Sequence, residues 1–164
     1  MRKTYYAVAL GLGLALSLSA CHKKQEAATQ QVAAVQRPSN PNDVAGWQQY
    51  LGQLVQNNMQ GVTSSSPYVY FVPAGNDAAT QGARDRQLQQ VQDVVARTVL
   101  PGNMLAFGGP DSSITAKFIE NAFSGAQAGS FKGVTVLFIG DKADEAAVQQ
   151  ALAPSAATFK FVQM

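Results

Sequence analysis

Three acidic residues stand just beyond short apolar runs. They are Asp77 in Pro73-Ala74-Gly75-Asn76-Asp77, Asp111 in Gly108-Gly109-Pro110-Asp111-Ser112-Ser113, and Asp141 in Gly140-Asp141-Lys142. Converging on one rim with the hydroxyl of Ser112, they would suit Mg²⁺ or Ca²⁺, hard cations that take oxygen ligands. The same residue types have a plainer use. Asp or Ser at the start of a helix accepts hydrogen bonds from its free N–H groups, worth ~1 kcal/mol each. Glycine at such places lets the chain turn. Capping is the expectation, and no metal site is assigned. The rim Asp77, Asp111, Ser112 and Asp141 is kept as the alternative, a place for a small ligand or cation or for a weak hydrolase.

Catalytic chemistry is sparsely represented. The chain has one histidine, His22, and one cysteine, Cys21. They are adjacent and far from every apolar run after residue 42, so no Ser-His-Asp or Cys-His nucleophile and no histidine-rich zinc site is expected. A Gly-x-Gly-x-x-Gly or phosphate-loop lysine motif is missing as well. Arg84-Asp85-Arg86 is the one tight charge cluster and reads as a solvated helix face. A carboxylate-only hydrolase, or a Ser-Lys pair drawing on Lys117, Lys132 or Lys142, has nothing to point to it. The chain is therefore expected not to be an enzyme and to need no dissociable cofactor.

The elements that must hold these loops alternate regularly. Asp43 caps a helix whose stripe is Val44, Trp47, Leu51, Leu54 and Val55. Trp47 and Tyr50 read as core rather than as membrane-interface anchors, because the other face is glutamine and carries no basic residue. Tyr68–Val72 is a continuous run of β-branched and aromatic residues, expected to be a strand buried on both faces. Leu88, Val91, Val94, Val95 and Val99 mark a helix that ends before Pro101-Gly102. Strand 104–107, helix 114–123, strand 134–139 and an alanine-rich helix 143–152 follow. Residues 158–162 alternate Lys160 with aromatics, as an edge strand does, and this strand is free to run antiparallel. Alternating strands and helices give an α/β fold. The expectation is a small, mostly parallel four-stranded sheet with helices on both faces, preceded by a helix and a flexible tether.

The start of the chain is of a different kind. Arg2 and Lys3 precede an uncharged apolar segment, Ala7 to Leu16, that is shorter than the ~20 residues needed to span a bilayer. Such a division is that of a secretory signal. It closes on Leu18-Ser19-Ala20-Cys21, which resembles the lipobox of bacterial lipoproteins. That resemblance implies removal of residues 1–20 and a lipid on Cys21, with a membrane attachment that two or more acyl chains make stable. An Asp directly after the cysteine often signals inner-membrane retention in such proteins. Here the residue is His22, so the resemblance implies the outer membrane of a Gram-negative cell. Residues 21–42, rich in Lys, Gln, Ala and Pro, read as a flexible linker, and 43–164 as a single globular domain. For that domain no family resemblance is found.

Charge narrows the partners. The whole chain carries a formal charge of +2. Loss of Arg2 and Lys3 makes it neutral, and from Asp43 onward seven Lys and Arg face nine Asp and Glu. A nucleic-acid binder needs a basic face to release phosphate counterions, and none is present. With its one cysteine assigned to lipid, the mature chain has no disulfide and depends on its apolar core. These readings converge on a membrane-anchored envelope protein that acts by binding another envelope protein.

Overall fold

In a computed structural model the chain is described for residues 36–97 and 99–164. Cys21, the expected signal 1–20 and most of the expected linker lie outside the described residues. Those that are described belong to one compact unit, Ala34–Met164. Its elements are α1 (Val44–Asn57), β1 (Tyr68–Phe71), α2 (Ala78–Ala96), β2 (Met104–Gly108), α3 (Ser112–Phe123), β3 (Thr135–Gly140), α4 (Lys142–Leu152) and β4 (Thr158–Gln163). All four strands are parallel, in the order β1-β2-β3-β4. The α/β architecture expected from the alternation is what the chain adopts. β4, free on sequence grounds to run either way, is parallel.

Topology decides which helix covers which face. Each β-α-β connection moves one strand further in the same direction, so crossovers of one hand place α2, α3 and α4 on the same face. Side chains at alternate strand positions follow suit. Leu105, Phe107, Val136 and Phe138 pack with α2, α3 and α4, whereas Met104, Ala106, Leu137 and Ile139 pack with Trp47, Leu51 and Val55 of α1. α1 thus covers the second face alone. β2 and β3 are buried along their whole length, which is why their sequences are apolar without alternation.

β1 departs from expectation. Its run is as apolar as that of β3, yet Tyr68 and Val69 are 46% and 41% exposed. The strand order makes β1 an edge, so one side of it has no neighbour to bury it. α2 also differs, beginning ten residues before its apolar stripe and stopping at Ala96, short of Val99. Its first half is polar and held by the Asp77 cap instead of by burial.

α1 is fastened at both ends. Asp43 accepts from the N–H of Gly46 at 3.0 Å. At the other end the Lys160 ammonium donates to the carbonyls of Asn58 and Gln60 at 2.9 and 2.6 Å, placing a cation where the helix dipole is negative. Lys160 therefore ties the far edge strand to α1. Trp47 and Tyr50 are buried, as core residues and not as a membrane-facing pair. No helix among the described residues is long and apolar enough to cross a membrane.

Candidate functional site

The last residues of the expected linker do not trail away from the fold. Arg37 donates to the carbonyl of Pro110 at 3.2 Å, and its guanidinium lies 5.6 Å from the centre of the Trp47 ring. Trp47 Nε1 donates to the carbonyl of Asn40 at 3.1 Å. The segment 37–41 therefore straps the first turn of α1 to the loop after β2, around a cleft of about 410 Å³.

That loop belongs to the rim at the carboxyl ends of the strands. Asp77 accepts from the Thr80 N–H at 2.9 Å and the Thr80 hydroxyl at 2.7 Å. The hydroxyl and then the N–H hold its carboxyl below the usual carboxylate range. Asp111 accepts from the Ile114 N–H at 3.0 Å and from the Ser113 hydroxyl at 2.9 Å. Those bonds, the Ile114 N–H first, lower its pKa despite the opposing effect of burial. Both aspartates are helix caps at α2 and α3.

Asp141 is not. It occupies the cap position of α4, but its side chain makes no capping bond. Its own N–H donates to Ser112 Oγ at 2.7 Å, and that hydroxyl donates onward to Asp144 Oδ2 at 2.5 Å. Ser112 is only 4% exposed, so it joins the starts of α3 and α4 and faces no solvent. Asp144, one of two acidic residues in the first turn of α4, supplies the negative charge there that Asp141 was expected to bring. The sequence signal for it was the pair Asp144-Glu145 just inside the helix.

Chemically the arrangement is occupied with itself. Ser112 spends its proton on a carboxylate and a lone pair on a backbone N–H. Among the described residues no group of three or more His, Cys, Asp or Glu is placed to hold a metal ion. The sheet order supplies a reason. Ligand crevices in open α/β sheets form where the strand order reverses and neighbouring loops part, and an order of β1-β2-β3-β4 never reverses.

The glycines of the rim serve packing more than turning. Gly108 and Gly109 do not have positive φ. A side chain on Gly108 would strike Leu51 of α1, and one on Gly109 would strike the Val72 carbonyl. They let α1 and β1 approach β2.

The larger surface feature lies at the β1 edge, where sequence reasoning expected no accessible surface. A groove of about 540 Å³ runs between α1 and α2, with Val69 and Phe71 along its floor. A second hollow of about 280 Å³ adjoins it at Leu51 and Gly52. Comparison with known proteins gives no match: no family model, no curated protein and no solved structure matches the chain.

Proposed function

We propose that the chain is a lipid-anchored envelope protein whose α/β domain is a non-catalytic interaction module. The observation that carries the reading is that three of the four rim residues, Asp77, Asp111 and Ser112, are committed to the fold. Asp77 and Asp111 cap helices, and Ser112 links α3 to α4. Beside them the β1 edge leaves Val69 exposed over a groove, a surface suited to contact with another protein. The anchor rests on Leu18-Ser19-Ala20-Cys21, and the outer-membrane location on His22 after it.

Two experiments test the reading. Mass spectrometry of the native N-terminus is expected to find Cys21 first and acylated, and Cys21→Ser to abolish acylation. An unmodified Cys21 thiol in the native protein would remove the anchor. Crosslinking in intact envelopes, with an affinity tag after Met164, is expected to recover one protein reproducibly. Recovery of none, together with turnover of a small substrate by the purified chain, would replace the module with an enzyme.

A further inference from the structure

Two of the four large apolar residues exposed among the described residues, Val44 and Val69, line the groove beside β1; Tyr68 stands next to Val69 at the start of the strand, and Leu100 is elsewhere. The main chain at this edge has no further strand beside it. Val72 donates to the Gly108 carbonyl, so Val72, Tyr70 and Tyr68 face β2. By the alternation of a strand, the N–H groups of Val69 and Phe71 face outward into the groove.

One outward carbonyl is covered. Gln87 Nε2 on α2 donates to the Phe71 carbonyl at 2.9 Å. That cover carries a cost of its own, because Gln87 Oε1 is buried without any hydrogen-bond partner. A buried acceptor left unpaired opposes the very arrangement that buries it. Moving the side chain out would lose one hydrogen bond and return Oε1 to water. Gln87 is thus a cover that an incoming strand can replace at the Phe71 carbonyl.

We infer that the groove between α1 and α2 receives an extended, acidic segment of another polypeptide, which displaces Gln87 and adds beside β1 as a fifth strand. This rests on the interaction-module reading and names its surface. Strand addition gives affinity through main-chain hydrogen bonds and selectivity through alternate side chains. Arg86 is the one charged residue among those lining the groove, and no ion pair involves it among the described residues; a carboxylate on the incoming segment complements it. A second copy of this chain is the poorer occupant, since it would bring the same cation to both sides of a symmetric contact. Pro67 and Pro73, which lack N–H groups, bracket the strand. They restrict the new ladder to its centre and guard against indiscriminate pairing.

The test uses the full chain and a phage-displayed library of random nonapeptides. Enriched peptides are expected to alternate apolar residues and to include Asp or Glu. A synthetic peptide from the set should lose at least tenfold in affinity when the main-chain amide facing β1 is N-methylated, and similarly against Val69→Lys. Arg86→Glu should shift selection to basic peptides, Gln87→Ala should tighten binding a few-fold, and Leu100→Lys should change nothing. Thermal melts check that each variant folds. Failure to enrich, binding indifferent to N-methylation or to Val69→Lys, or a dimer in sedimentation that Val69→Lys breaks would each overturn the assignment. The two readings fail separately. An envelope partner crosslinked elsewhere leaves the module standing without this groove, whereas groove-binding peptides without any envelope partner leave the groove and remove the module.

Discussion

On one face of the sheet three helices are each bound into the chain by a strand at both ends. On the other a single helix, α1, is followed by a strand and, among the described residues, preceded by the 37–41 strap. The first cover is built into the connections between the strands. The second depends on what α1's own residues grip: Trp47, Leu51 and Val55 in the core, Asp43 at one end and Lys160 at the other. The faces therefore should respond differently to damage.

The largest effect is expected on the three-helix face. Phe107 is fully buried, stacked on Tyr70 at 4.9 Å and packed against Phe118 and Phe123. Phe107→Ala is expected to cost ~3–5 kcal/mol in urea unfolding of the full chain, through lost burial and a residual cavity. The loss should be global, with amide protection falling in α2, α3 and α4 together. Protection lost in α3 alone would break the claim that this face is one cooperative unit.

Leu51→Ala on the other face is expected to cost ~2–4 kcal/mol. Here hydrogen exchange should rise first in α1, by local opening, while β3 and α3 keep their protection. A uniform rise across the sheet would erase the distinction between the faces.

Lys160→Met keeps the side chain's length and removes its charge. Loss of the two carbonyl contacts is expected to cost about 1 kcal/mol and to fray the last turn of α1. If the turn from Asn57 to Gln60 exchanges as before, the tie between β4 and α1 is idle.

The smallest effects sort the caps. Asp77→Ala is expected to lower the urea midpoint slightly and Asp77→Asn scarcely at all, because Asn caps nearly as well. Asp141→Asn should be neutral, its side chain capping nothing. Acid should show the same order. Asp77 and Asp111 have carboxyls held below their ordinary value. Their contribution is thus present above the unfolded carboxylate pKa of ~3.9 and is lost as pH falls through the lower folded value. The double variant Asp77→Asn, Asp111→Asn should flatten this acid limb of the stability curve. An unchanged limb would show that neither charge matters to the caps.

Much of this architecture was legible because burial writes itself into composition. β2 and β3, enclosed by helices on both faces, have no solvent side on which to place polar residues, and α3 shows its stripe plainly. β1 misled for the same reason turned around. An edge strand with a groove beside it keeps an apolar run that resembles a central strand, and composition does not distinguish a surface covered by the chain from one left open. The polar half of α2 has no stripe and was announced only by Asp77. Asp141 looked like its two counterparts, but its side chain accepts no bond from the first turn of α4, and capping depends on side-chain geometry that residue type alone does not show. The strap and the Lys160 tie join residues 73 and 102 positions apart, and nothing local in the sequence marks such pairs.

The strap has a mechanical consequence. The strap has two moorings, the Pro110 carbonyl just after β2 and the Trp47 ring on α1. Tension arriving through Arg37 is expected to strain both, and release of the α1 mooring would loosen that helix from its first turn. The face beneath it, Met104, Ala106, Leu137 and Ile139, is then the part of the core nearest to exposure.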